Sequence, residues 1–405
     1  MKSSAETLSS TRMSAELISP QMNESEAHSS ERQPRMQESH KTMVQEKNAR
    51  YQAGKSTSIG RYLWPLLALS ILLLANLFID SNFFNISYQD DRLYGSLIDI
   101  LNRSAPVALL SIGMSLVIAT GGIDLSVGAV MAIAGAVCAN LLLVPDISLV
   151  TVIAAGLIVG LLAGCINGGL VSFLGIQPIV ATLLLMVAGR GVAQLINQGQ
   201  IITFQHPGFA AIGVGQFLGL PMPVWIVIGM LTFSQLLLRK TALGLFIEAV
   251  GCNAKASRYL GINDKSIKLF AYGIAGLCAA LAGMISTADI QGSDANNAGL
   301  WLELDAVLAV VIGGAALTGG RFSLILSVVG ALIIQTLATT IIVSGLPAKF
   351  NLLIKAIVIL TVLLLQSAKF RRQLSALFTS KRQTDAKPAE KGTSAKASTA
   401  TGEKL

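Results

Sequence analysis

The chain has 405 residues, 53% of them hydrophobic and only 13% charged, with 38 glycines and a mean hydropathy of +0.65. A water-soluble domain of this composition would aggregate, so the chain reads as an integral membrane protein. The net charge of +8 lies wholly in the tails, because residues 1–62 carry nine Lys/Arg against seven Asp/Glu, residues 369–405 nine against three, and the rest twelve against twelve; this fits a positive-inside topology and anionic lipid rather than nucleic acid.

Residues 1–60 are rich in Ser, Glu, Gln and Met without apolar periodicity, and read as a disordered polar tail. Within it, Gly54, Lys55 and Ser56 end a loose likeness to a phosphate-binding loop. That loop needs a preceding strand and a following helix so that amide hydrogens converge on phosphate, and neither is present. ATP and its Mg would therefore be used by another chain, and this chain is expected to bind no cofactor. The first apolar run starts near Leu63, too far in for an ordinary cleaved signal peptide, and reads as a retained first span.

A bilayer core needs about 20 mostly apolar residues per helix. Ten candidates follow: 63–79, 105–120, 125–144, 149–174, 179–196, 216–238, 267–288, 304–317, 323–344 and 352–367. The second and eighth are short and run into glycine pairs, so both are expected to be broken or tilted. The predicted fold is an all-α polytopic bundle of about ten transmembrane helices over residues 61–368, followed by a basic disordered tail over 369–405. Gly156, Gly160, Gly164 and Gly168 recur every four residues, a stripe suited to close helix packing inside the bundle or, less simply, to a dimer face.

Ten spans place both tails on one side. The segment from Arg239 to Lys268, with six Lys/Arg against two acids, falls on that side with Arg321, Arg371 and Arg372. The opposite side receives 80–104, 145–148, 197–215 and 289–305, which carry few bases. Lys and Arg collect in cytoplasmic loops, so both ends are expected in the cytoplasm.

Four polar groupings stand out. Gly121, Gly122, Ile123, Asp124, Leu125 and Ser126 interrupt two apolar runs. Here Asp124 is expected to cap the helix starting at Leu125 by accepting its free amide hydrogens. The grouping reads either as a discontinuous helix lining a polar pathway or as a capped turn at the cytoplasmic face. Arg190, followed by Gln194, sits in an apolar helix and must pair, snorkel or face water, meeting either a passing ligand's hydroxyls or an acidic partner such as Asp289. Asp289, Gln291, Asp294, Asn296, Asn297, Trp301 and Glu303 form a dense polar cluster that suits a polyhydroxylated ligand, a protein partner, or plain solvation beside an interfacial tryptophan. In the basic segment, Glu248 to Tyr259 carries a short helical pattern that Gly261 would end. The small residues Ala249, Gly251, Ala254 and Ala256, with Asn253, would let it nestle in a groove of a soluble partner, or it is an ordinary amphipathic loop helix.

Cys138, Cys165, Cys252 and Cys278 form no CxxC, and His28, His40 and His206 are scattered, so neither a disulfide framework nor a metal centre is expected. The sequence has no GxSxG, no HExxH and no plausible carboxylate pair for hydrolysis. No catalytic residue is assigned, and the chain is not read as an enzyme.

The runs Thr120 to Gly128, Glu248 to Ile262 and Ala309 to Gly314 resemble the permease subunits of ATP-binding cassette sugar importers of the ribose, xylose and arabinose type. The resemblance covers roughly residues 90–370. The runs Ile100 to Leu109, Met186 to Ile196 and Ala288 to Asp305 look like the bacterial galactofuranose branch, from which residues 1–60 depart. The resemblance implies a bacterial inner-membrane permease without its own ATPase site. It implies a second permease, identical or different, a separate ATPase below, and a periplasmic sugar-binding protein above. It also implies that 239–266 is the coupling loop, with Glu248, Ala249, Gly251, Asn253, Ala256 and Gly261 against the ATPase. Gly121, Gly122, Asp124, Ser126, Arg190, Gln194, Asp289, Asp294, Asn296 and Asn297 are then candidates for the substrate pathway or its gates. The competing readings are an ion-coupled secondary sugar transporter, a membrane enzyme and a membrane scaffold. The first predicts coupling acids buried in mid-membrane, whereas most acids here fall near loop ends.

Overall fold

The computed structural model describes residues 58–366 apart from 90, 91, 346, 348 and 349. The expectations for the N-terminal tail, its phosphate-loop likeness, His28, His40, and the basic C-terminal tail lie outside the described residues. Chain contacts divide between Arg61 and Tyr62, and the architecture below is that of the unit from Tyr62 onward.

Thirteen α-helices are described: α1 (Ser58–Ile79), α2 (Ser96–Ala119), α3 (Val127–Leu141), α4 (Leu149–Ser172), α5 (Pro178–Ile196), α6 (Pro207–Val214), α7 (Met222–Lys240), α8 (Leu243–Cys252), α9 (Ala254–Tyr259), α10 (Asp264–Asp289), α11 (Leu302–Ile312), α12 (Leu324–Val343) and α13 (Asn351–Gln366). Three two-stranded ribbons complete the list: β1 (Ser87–Gln89) with β2 (Arg92–Tyr94), β3 (Ile202–Thr203) with β6 (Gly292–Ser293), and β4 (Gln216–Phe217) with β5 (Leu220–Pro221). All ten predicted spans correspond to helices, and α2, α4, α5, α7, α10 and α12 are each long and apolar enough to cross a bilayer.

The second span differs from its expectation. It is a full 24-residue helix, because α2 starts at Ser96 and carries Asp99, Asn102 and Arg103 in its opening turns. Those polar residues read as loop. The third element, α3, is the short one at 15 residues, and α11 has only 11. At 1.5 Å per residue these reach roughly 22 Å and 16 Å, below the 30 Å of a bilayer core. Polar glycine-rich turns extend both.

α2 and α10 are buried along most of their lengths and form the centre. α3, α4, α11 and α12 pack around them. In contrast, α1, α5 and α7 turn large apolar side chains outward, including Phe78, Leu184, Val187, Leu195 and Phe233. Lipid or another apolar surface suits such faces.

The glycine stripe of α4 is spent inside the chain. A Cβ on Gly160 would stand 2.5 Å from the Gly276 carbonyl oxygen and 2.5 Å from the Ala280 methyl of α10. One on Gly164 would strike the Tyr272 carbonyl, and one on Gly168 would lie 3.0 Å from Leu269 Cα. Contacts run down α10 as they run up α4, so the helices are antiparallel with backbones touching. Such close approach yields dispersion contacts and weak Cα–H hydrogen bonds where lipid offers no hydrophobic drive. Gly169, off the stripe, has open space around it.

Polar pairs fix the register elsewhere. Ser115 of α2 donates to Ser327 Oγ of α12 at 2.7 Å, and Asn76 of α1 donates to Thr340 Oγ1 at 2.8 Å. Lys355 of α13 reaches Asp305 of α11 at 2.8 Å, with both side chains largely buried. Removing one partner of such an ion pair would leave a buried charge.

Gly164→Ala is expected to lower thermal stability by about 1–3 kcal/mol, because an inserted methyl must push two backbones apart. Gly169→Ala should be neutral or slightly stabilising. Thermal unfolding of the purified variants, followed by monodispersity, distinguishes the two; equal losses would refute the packing assignment.

Candidate functional site

The molecule has two polar ends. The first gathers the termini of α5 and α10 and the segment 290–301. β3 pairs with β6 in antiparallel register, Ile202 opposite Ser293 and Thr203 opposite Gly292. Asn197, at the end of α5, donates to the Ser293 carbonyl and hydroxyl oxygens at 3.1 Å each, and accepts from Asn140 at 3.0 Å. Arg190 Nη1 donates to the carbonyls of Ala295, Asn296 and Ala298. Gln194 donates to Asn296 Oδ1 at 2.6 Å. Arg190 is therefore bound to loop carbonyls, within electrostatic range of Glu303 and Asp294. The expected partner, Asp289, makes no ion pair with it and lies within electrostatic range of Arg103 instead. Sequence distance gave no means of choosing between these acids.

Within that loop, Asp294 accepts from the backbone N–H of Asn296 and Asn297 and from the Asn297 side chain at 2.7 Å. The Asn297 side chain, followed by the two amides, holds the Asp294 carboxyl below its usual range. Trp301 takes a left-handed conformation (φ 69°) and is exposed, turning the chain into α11. His206, read as isolated, accepts from the Phe209 N–H and caps α6.

A cavity of about 450 Å³ opens beside this loop, between the first turns of α2, the last turn of α10, and α12. Asn102, Arg103, Asp289, Asp294, Asn297 and Gln335 supply its polar wall. Of the sequence candidates, Asp289, Asp294 and Asn297 reach it; Arg190, Gln194 and Asn296 stand behind, holding the loop. Sequence reading missed Asn102 and Arg103, assigned to a loop, and Gln335, whose signal was a lone amide in the apolar run of α12.

The second polar end lies where α2 stops. Gly121 (φ +83°) turns the chain, and α3 begins at Val127 with Ser126 as its N-cap. Asp124 does not cap that helix as expected: it is buried and accepts from the Ser126 N–H at 2.9 Å and hydroxyl at 2.6 Å. Asn167 of α4 donates to Ser126 Oγ at 2.6 Å, and Thr182 of α5 donates to the Ile123 carbonyl at 3.3 Å. The ring of Tyr272 closes the turn over Gly122. Gly121, Gly122, Asp124 and Ser126 thus occupy the opposite end from the cavity.

Beside them lie α8 and α9. A Cβ on Gly251 would strike the Ala119 carbonyl oxygen at the end of α2. The Gly320 N–H donates to that same oxygen at 2.9 Å. Gly319 (φ +91°) comes so near that its Cβ would stand 2.9 Å from the Gly251 carbonyl and 3.0 Å from Gly121 Cα. Asn253 caps α9 by accepting from the Ala256 N–H at 3.0 Å. As predicted from sequence, Gly261 (φ +84°) ends it. The Gly261 N–H bonds to Arg258 and the Ile262 N–H to Ser257, a Schellman closure. Arg258 then forks onto Asp264 at 2.6 and 2.9 Å, fastening α9 to the start of α10. This bond holds the Arg258 guanidinium above its usual range. Tyr259 and Leu260 project outward, 92% and 80% exposed, beside exposed Asn253 and Ala256. Glu248 and Ala249 are half-buried, and Glu248 lines a shallow groove with Arg239 and Phe322. Among the described residues no His/Cys/Asp/Glu group could hold a metal.

A polytopic helical bundle with a polar cavity at one end and an exposed amphipathic elbow at the other is the form of a transport permease. The chain belongs to the family described as the branched-chain amino acid transport system / permease component, which it matches over residues 96–363. It is 58% identical over 315 residues to the galactofuranose transporter permease protein YtfT of Escherichia coli (strain K12), covering 76% of this chain and 92% of that protein. Against the fructose import permease protein FruF of Bifidobacterium longum (strain NCC 2705) the identity is 41% over 79% and 91% of the two chains. Against the ribose import permease protein RbsC of Escherichia coli (strain K12) it is 35% over 75% and 93%. No solved structure matches the chain.

Replacing Arg190 with Gln should free the 290–301 loop. Three hydrogen bonds to a charged donor are lost, so maleimide labelling of an Asn297→Cys reporter should quicken about tenfold or more. Arg190→Lys should fall between. An unchanged rate would show that the β3–β6 pairing with the Asn197 and Gln194 bonds suffices to hold the loop without Arg190.

Proposed function

We propose that this chain is the permease subunit of an ATP-binding cassette importer that carries a monosaccharide, galactofuranose, across the bacterial inner membrane. The observation that carries the reading is the 58% identity to a galactofuranose permease over 92% of that relative's length. Both termini, and the face bearing α8 and α9, lie in the cytoplasm; the cavity opens to the periplasm. The basic residues of 239–268 support that orientation.

On this reading the partners are a separate ATPase subunit, which uses ATP and Mg, a second permease, a periplasmic sugar-binding protein and membrane lipid. The chain binds no cofactor and performs no chemistry on the sugar. Glu248, Ala249, Gly251, Asn253, Ala256 and Gly261 build the element that the ATPase moves, and Tyr259 and Leu260 are its apolar contact. Gly251 sits on the end of α2, so displacement of α8 presses directly on the central helix and on the turn at Gly121, Gly122, Asp124 and Ser126, which acts as the inner gate. At the outer end, Arg190, Gln194 and Asn296 hold the gate loop, while Asp289, Asp294 and Asn297 line the entry. Sugar binding favours one access state, and nucleotide must stabilise the other differentially.

Tyr259→Asp should reduce recovery of the ATPase with the tagged permease at least fivefold, a loss of about 1 kcal/mol or more from an exposed apolar contact, without changing insertion. Gly251→Asp should abolish uptake. Impermeant labelling of exposed Cys252 should fail in intact cells and succeed in inverted vesicles. Labelling in intact cells, or uptake that survives loss of the ATPase, would overturn the proposal.

A further inference from the structure

We propose that Asn102, Arg103, Asp289 and Gln335 form a sugar-hydroxyl site in the outer cavity, which accepts the monosaccharide on its way inward. The inference rests on the importer reading and adds three residues that neither the loop cluster nor the family match singles out.

The four side chains come from three helices: Asn102 and Arg103 from α2, Asp289 from the end of α10, and Gln335 from α12. Among the described residues, none of the four makes a side-chain hydrogen bond, and Asn102 Oδ1 is buried without a partner. Arg103 and Asp289 are exposed and are solvated, so the group that calls for a polar occupant is Asn102 Oδ1, because a buried polar atom without a partner is rare and costly. Asp294 and Asn297, on the same wall, spend their hydrogen bonds on each other and serve as scaffold.

The charge balance selects the ligand. Arg103, Asp289 and Asp294 all line the cavity, so its wall carries one cation and two anions. That balance disfavours an anionic solute, and a neutral polyol can use the cation and the carboxylates alike as hydrogen-bond partners. Two carboxamides each offer a donor and an acceptor, the pairing that a hydroxyl needs. Pro106, Ile285, Ala298 and Gly299 give the apolar floor on which sugar C–H groups rest. A cavity of about 450 Å³ lies within the range of small-molecule sites, about 300–1,000 Å³. It is open, which suits brief occupancy rather than tight storage.

The test uses the assembled transporter, with its ATPase and binding protein, in proteoliposomes. The readout is labelled sugar imported per ATP hydrolysed, with D-galactose, which contains furanose forms in water, as probe. A permease that fails to hold the sugar wastes strokes, so the ratio reports the site rather than the affinity of the binding protein. Asn102→Leu and Gln335→Leu should each lower the ratio about three- to tenfold, the value of a hydrogen bond or two. The isosteric Asn102→Asp and Gln335→Glu give a second pair should the leucine variants insert poorly. Wild-type ratios in all inserted variants would overturn the site and leave the importer reading intact. A wild-type complex that hydrolyses ATP but imports no D-galactose, ribose or fructose would overturn the importer reading itself.

Discussion

The structure depends on backbones that touch. Along α4 and α10, and again where α2, α8 and the 319–320 turn meet, glycine removes the side chain that would hold two main chains apart. In lipid this matters more than apolar content, because leucine meets leucine no better than it meets an acyl chain. Close contact also makes the central helices poor at bending independently. α2 is clamped by Ala275 of α10 at Gly113, where a Cβ would lie 2.6 Å from the Ala275 Cα. It is clamped again by Ser327 of α12 at Ser115. A well-packed core of this kind moves as bodies, between discrete packings.

The helices were legible because the bilayer imposes a length on every span and tolerates few charges. All ten apolar runs became helices. The mistake at the second span has the same physical root. Asp99, Asn102 and Arg103 look like loop residues by composition, yet they lie on a helix that lines a polar cavity and so escape the cost of lipid exposure. The same applies to Lys355, a lone base in an apolar run, which is stabilised by Asp305 from a helix about fifty residues earlier.

The candidate site was half legible. Composition revealed that Asp289 to Glu303 was unusual, and glycine with asparagine revealed the caps of α9. Neither disclosed which carbonyls Arg190 would bind or that Asp124 would take the Ser126 amide and hydroxyl ahead of an α3 that starts only at Val127. Those choices depend on where helices far apart in sequence come to rest. A single arginine can be satisfied by a carboxylate or by three carbonyls, and here the 290–301 loop, tied by the β3–β6 pairing and by Asn197, presents the carbonyls.

The two polar ends are joined by the same helices. α2 carries Asn102 and Arg103 in its second turn, in the cavity, and ends at Ala119, on which Gly251 and Gly320 both rest. α10 begins at Asp264, fastened to α9 by Arg258, and ends at Asp289 in the cavity. Each central helix therefore has one terminus at the α8–α9 elbow and the other in the polar wall. On the importer reading, a push on α8 and α9 would reach the cavity residues through these two closely packed helices. Filling the cavity would then constrain the elbow in turn, because coupling of this kind is reciprocal. The route proposed is thus the pair of central helices itself, gripped at both ends.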